Sequence, residues 1–122
     1  MKQMQLLIAS LLFLVFTSAA HATEAYTGRF LYKYEGGNTY RVTVEDAKSM
    51  SWLCIDGSEK GANGIEKPER FKVADKVYFV TWVEKTGINV SQVINLKTMR
   101  IYSTIIDGKE RYVLEGKVVR EK

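Results

Sequence analysis

Gly28-Arg29-Phe30-Leu31-Tyr32-Lys33-Tyr34-Glu35-Gly36-Gly37-Asn38-Thr39-Tyr40-Arg41-Val42-Thr43-Val44-Glu45 alternates in type on both sides of a glycine-rich break. Successive side chains of a strand point to opposite faces, so Phe30, Tyr32 and Tyr34 share one face and Arg29, Lys33 and Glu35 the other. After the break, Tyr40, Val42 and Val44 face inward while Arg41, Thr43 and Glu45 meet water. Two half-buried strands around Glu35-Gly36-Gly37-Asn38 read as an antiparallel hairpin.

The same grammar continues outward from this hairpin. Turn signals recur about every ten residues, at Glu45-Asp46-Ala47-Lys48, Asp56-Gly57, Ala74-Asp75-Lys76, Lys85-Thr86-Gly87, Leu96-Lys97-Thr98 and Asp107-Gly108-Lys109. They leave eight strands, near 26–34, 39–45, 49–55, 69–73, 77–84, 88–95, 99–106 and 110–119, and no ten-residue stretch with helical periodicity. Short connections predict consecutive hairpins. The expected fold is therefore all-β, a small eight-stranded antiparallel barrel closed so that no edge is exposed, its interior filled or holding one small ligand. In the last strand Tyr112, Leu114 and Val118 are expected inside. The strand at 77–84 is apolar on both faces, Val77, Phe79 and Val83 against Tyr78, Val80, Trp82 and Glu84, so alternation alone does not orient it. The long connection, Asp56 to Pro68, reads either as a lid over one end or as a solvated excursion. Pro68 suits the start of a strand, where its missing N–H costs little.

The first residues address the chain. Lys2 precedes an apolar run from Leu6 to Phe16, and Ala20-His21-Ala22 offers small residues where a signal peptidase cleaves. The run is too short to span a bilayer. The expectation is a signal peptide at 1–22, a single domain at 23–122 and a periplasmic or secreted product with no membrane attachment after cleavage. Loss of residues 1–22 removes Lys2 and no acid, so the net charge falls from +4 to +3 over 100 residues. Acids and bases are interspersed, without the basic stripe of a nucleic-acid binder.

His21 is the chain's one histidine, so the mature part would contain none, and Cys54 is the one cysteine. Disulfide, cysteine-based zinc and Ser/His/Asp or Cys/His chemistry are excluded, and no metal or cofactor is expected. Cys54, between Leu53 and Ile55, reads as a small buried hydrophobe. Any catalysis must use tyrosine, carboxylate, lysine or arginine.

Two blocks carry a family resemblance. Leu31-Tyr32-Lys33-Tyr34-Glu35-Gly36-Gly37-Asn38-Thr39-Tyr40 and Val77-Tyr78-Phe79-Val80-Thr81-Trp82-Val83-Glu84-Lys85-Thr86-Gly87-Ile88-Asn89-Val90-Ser91 resemble the blocks Y-T-Y-x-N-G-W-x-Y and W-T-E-P-T-G-T-D-V-S of the bacterial phenolic acid decarboxylases. The same pattern is similar to the MoaF-like domains, relatives named for molybdenum-cofactor-biosynthesis protein F. The resemblance spans Tyr26 to about Ile105 and implies a cofactor-free, lipocalin-like barrel. It further implies that Tyr32 and Tyr34 hold a substrate carboxylate, that Tyr40 lies near a phenol and that Glu84 moves a proton; if Glu84 points inward, alternation brings Trp82, Val80 and Tyr78 inward with it, which adds Tyr78 and Trp82 to the expected site. A buried glutamate can hold a proton near neutrality, and tyrosine hydroxyls can grip a carboxylate without adding charge.

The chain also departs from those enzymes. Their arginine, in a G-R-W setting, has Glu59-Lys60-Gly61-Ala62-Asn63 in its place, and lysine lacks the planar fork that grips two oxygens. Gly37-Asn38 replaces glycine-tryptophan, Lys85 replaces the proline, and the longer C-terminal half is missing. The resulting expectation is an exported MoaF-like barrel that binds a small aromatic or carboxylate-bearing molecule. Two alternatives stay open: a decarboxylase-like lyase using Tyr32, Tyr34 and Glu84, and a protein-interaction domain that presents Val77, Phe79 and Val83.

Overall fold

The computed structural model describes residues 26–122, so the signal-peptide expectation for 1–22 lies outside the described residues. Nine antiparallel strands form one sheet: β1 (Gly28–Tyr34), β2 (Thr39–Val44), β3 (Met50–Asp56), β4 (Asn63–Glu66), β5 (Glu69–Ala74), β6 (Val77–Val83), β7 (Asn89–Asn95), β8 (Arg100–Asp107) and β9 (Glu110–Glu121). Their order is β4-β3-β2-β1-β9-β8-β7-β6-β5. The first and last strands of the chain thus pair in the middle of the sheet, with Tyr32 opposite Tyr40 on one side and Val118 on the other.

Two expectations change. There are nine strands, not eight, because the stretch from Asp56 to Pro68 contains β4. It is neither a lid nor a free excursion: Cys54 N–H bonds the Ala62 carbonyl at 2.8 Å and Gly61 N–H the Cys54 carbonyl at 2.9 Å, which ties the connection to β3 as a hairpin. Nor does the ladder close. The edge strands β4 and β5 are chain neighbours without a ladder between them, and the sheet curls into a half-barrel with a seam there. Pro68, buried between them, has no N–H to give a ladder.

Facing follows the alternation. Phe30, Tyr32, Tyr34, Val42 and Val44 are buried, and β6 turns Tyr78, Val80 and Trp82 inward. Tyr112 departs from expectation. It has inward parity with Leu114 and Val118, but the β1 ladder ends at Gly116, so this part of β9 pairs with β8 alone, and both Tyr112 and Val113 are exposed.

The interior divides in two. At one end Tyr26 stacks on Phe30 with centroids 5.4 Å apart, Tyr78 tilts onto Tyr26 at 4.9 Å, and Ile94, Ile101 and Val80 fill the remaining space. Two cations lie over these rings, Arg70 at 4.9 Å from Tyr26 and Arg120 at 4.7 Å from Phe30, a favourable position over the negative ring face. The Tyr26 and Tyr32 hydroxyls bond each other. Close coiling of β1 over β9 requires Gly116, whose missing Cβ would fall 2.3 Å from the Lys33 carbonyl oxygen.

Candidate functional site

The opposite end is hollow. A cavity of about 630 Å3 opens there, walled by the upper halves of β1, β2 and β3, the β3–β4 hairpin, and β6 and β7 with the turn between them. That volume lies within the ordinary range for small-molecule sites.

Alternation along β1 sends Tyr32 to the cavity floor and Tyr34 to its wall. Tyr34 is locked in place, its hydroxyl 2.6 Å from Ser103 Oγ and accepting from Gln92 Nε2 at 3.2 Å. Burial pushes its phenol up to about 12, so it stays neutral. Tyr40, opposite Tyr32 across the hairpin, packs edge-on to Tyr34 at 5.8 Å and to Trp52 at 5.9 Å. These rings make one continuous aromatic wall, and Trp82 from β6 also lines the cavity.

Three carboxylates interrupt the apolar lining, each held by an aromatic donor. Tyr40 donates its hydroxyl to Glu59 Oε2 from the β3–β4 connection. Trp52 Nε1 donates to Glu66 Oε2 at 2.8 Å, and Trp82 Nε1 to Glu84 Oε2 at 3.2 Å. Burial raises the Glu84 carboxyl above its ordinary value; the Trp82 N–H opposes this, and the Glu66 and Glu59 charges add to it. Burial and then the Glu59 bond likewise raise the Tyr40 phenol, which keeps it a donor.

The Trp52–Glu66 bond depends on a glycine. Trp52 pairs with Gly64 across the β3–β4 ladder, and the indole lies where a side chain at 64 would stand. A Cβ there would come within 2.6 Å of Trp52 Nε1 and 2.7 Å of Glu66 Oε2.

Of the residues singled out from sequence, Tyr32, Tyr34, Tyr40, Trp82 and Glu84 line this one hollow. Tyr78 does not. It faces inward, but from the filled end, where its buried hydroxyl has no hydrogen-bond partner. Lys60, the cation standing nearest the family arginine's place, is absent from the lining, and Lys85 is the basic residue there. Sequence reasoning missed Trp52, Glu59, Glu66 and Gln92. Trp52 was within reach, since it shares parity with the apolar Met50 and Cys54. Glu66 was not, because a charged residue turned inward beside an outward Ile65, 82% exposed, inverts the usual pattern. Among the described residues, no three His, Cys, Asp or Glu side chains are grouped as metal ligands.

The MoaF-like family model matches residues 27–119. The chain belongs to the MoaF-like family. No curated protein matches it. Among solved structures, it is similar to one described as that of "a putative beta-lactamase" from Burkholderia vietnamiensis, with a TM-score of 0.74 and 19% identity over 79% of this chain and 95% of that one. At that identity the MoaF-like chain shares a fold with this neighbour, and the likeness says nothing about activity.

Proposed function

We propose that this MoaF-like protein binds a small molecule with a flat, apolar body in the hollow end of its half-barrel. The observation that carries the reading is a cavity of about 630 Å3 whose aromatic wall of Tyr34, Tyr40, Trp52 and Trp82 surrounds a few placed polar groups. Buried aromatics with a polar atom already satisfied, as in Tyr34, make a rigid surface for a ligand to stack on. Of the two ligand chemistries expected from sequence, the walls favour the aromatic one. A free carboxylate would meet Glu59, Glu66 and Glu84 with only Lys85 to offset them. With the leader-like residues 1–22, the reading places this binding outside the cytoplasm, in the periplasm or medium; cleavage after Ala22, read by N-terminal sequencing of exported protein, tests that part.

The lyase alternative is less well supported by the same geometry. Tyr32, Tyr34 and Glu84 share the hollow, but Tyr32 is bonded to Tyr26 and no arginine is among the lining residues, so no fork of donors faces a substrate carboxylate. Purified protein is expected to leave para-coumarate unchanged. Release of vinylphenol that Glu84→Gln abolishes would restore the enzyme reading. The binding reading itself is tested by thermal melting with a panel of aromatic compounds, since a ligand that prefers the native state raises the melting temperature. A panel without any shift, combined with unaltered Trp fluorescence, would overturn it.

A further inference from the structure

Resting on the binding reading above, we propose that the ligand of this cavity is an organic cation, a protonated or quaternary amine on an aromatic or apolar body, whose charge sits among Glu59, Glu66 and Glu84.

The decisive residue is Glu66. It is only 8% exposed, lines the cavity, and has no lysine or arginine within ion-pair distance among the described residues. A carboxylate largely covered by protein, its free oxygen reached from the cavity and no counter-charge beside it, favours an incoming cation. Trp52 Nε1 satisfies Oε2 alone, and Oε1 accepts no hydrogen bond from the described residues. Glu59, exposed, and Glu84, half-buried, likewise have one oxygen fixed by Tyr40 or Trp82 and no ion pair among the described residues, although Lys85 also lines the cavity. The molecule does make ion pairs elsewhere, Arg41 with Glu121 at 2.8 Å and Arg100 with Glu35 and Glu115 at 3.4 and 3.7 Å. Neither cation that lies over a ring lines the cavity: the half-buried Arg70 sits over Tyr26 and the exposed Arg120 over Phe30, both at the filled end.

The aromatic wall points the same way. Tyr40, Trp52 and Trp82 each use their polar atom to hold a carboxylate, so their π faces remain to contact the ligand. Ring faces attract ammonium groups, most strongly when water is excluded. A metal ion is a poorer fit, because the three acids are spread around the rim and not converged as ligands, and no histidine or cysteine joins them.

Calorimetric titration with three probes of matched shape separates the possibilities: 2-phenylethylamine (cation), 2-phenylethanol (neutral) and phenylacetate (anion). The cation is expected to bind at least about tenfold more tightly than the alcohol, with the anion weakest. Glu66→Gln is expected to remove most of that preference while leaving affinity for the alcohol within about twofold. Glu84→Gln, at the rim and away from the β3–β4 packing, should narrow it even where the Glu66 variant fails to fold. Equal or tighter binding of the alcohol or the anion by wild type would overturn the cation inference and leave the cavity reading standing. If no probe binds at millimolar concentration and Trp fluorescence is unchanged, both fall.

Discussion

Replacing Gly64 by alanine adds one methyl group, and the structure says what it must move. The new Cβ would lie 2.6 Å from Trp52 Nε1, 2.8 Å from Trp52 Cε2 and 2.7 Å from Glu66 Oε2. Ordinary contact between such atoms needs about 3.5–4.0 Å, so the indole must shift by about 1 Å. The Trp52–Glu66 hydrogen bond, 2.8 Å long, does not survive that shift. A hydrogen bond to a charged group contributes about 1.5–3 kcal/mol, and Glu66 Oε2 would lose its donor among the described residues. Against this, a strand glycine replaced by alanine gains about 0.5–1 kcal/mol from lower chain entropy. The net expectation is a loss of about 1–2 kcal/mol, a fall of about 5–15 °C in melting temperature for a domain of this size. Urea denaturation followed by far-ultraviolet circular dichroism measures it. The double-mutant cycle with Trp52→Phe isolates the cause: in that background the methyl group should cost less than half as much, because the smaller ring vacates the space. A Gly64→Ala protein as stable as wild type, or an equal cost with and without Trp52, would refute the account.

Two further substitutions probe the fold and the charge at the mouth. Gly116→Ala places a Cβ 2.3 Å from the Lys33 carbonyl oxygen and 2.8 Å from Tyr34 Cα, both backbone atoms in the β1–β9 ladder, so it should cost more than Gly64→Ala, about 3 kcal/mol or more; a melting temperature within a few degrees of wild type would contradict the close coiling described. For Glu84→Gln the sign follows from its raised carboxyl: between the ordinary value and the raised one the native state holds more protons than the unfolded state, so wild-type stability falls as pH rises through that window. Glutamine does not titrate. The variant should therefore gain on wild type as pH rises above the ordinary carboxyl value of 4.5, with Glu59, Glu66, Tyr40 and Lys85 unchanged around it; a stability difference that is flat or shrinks with pH, measured by denaturant titration, would count against a desolvated Glu84.

Strands with one wet face were legible from residues alone. In β1 and β2 each inward aromatic or valine is flanked by a charged or hydroxyl residue, so only one orientation keeps charge in water. β6 was ambiguous because both faces are apolar, and its orientation comes from its neighbours: Val80 is opposite Arg70 on β5 and Gln92 on β7, and Glu84, just past the strand, lines the cavity. β4 was illegible for a physical reason. Asn63-Gly64-Ile65-Glu66 is too short and too polar to declare a strand, and it turns its apolar residue out and its acid in. Tyr112 shows the complementary error. Parity sets which way a side chain points, but whether anything is there to meet it depends on how far the neighbouring strands run, which alternation does not encode.

The polar asymmetry of the interior links these elements to function. A barrel closed by hydrogen bonds would have brought β4 against β5, and with it Glu66 toward Arg70, one chain neighbourhood on either side of Pro68. The seam prevents that pairing: Arg70 is held over Tyr26 and donates to the Asp46 carbonyl at 2.9 Å, while Glu66 is held by Trp52 in the cavity wall. Acid and base are kept apart, the base over the Tyr26 ring with Nε and Nη2 buried and unbonded, and the acid in the cavity lining. An internal ion pair would have given Glu66 a counter-charge within the chain. Keeping the two apart leaves Glu66 without a basic partner among the described residues, and under the cation proposal a bound ligand supplies that partner, so binding would also stabilise the native state.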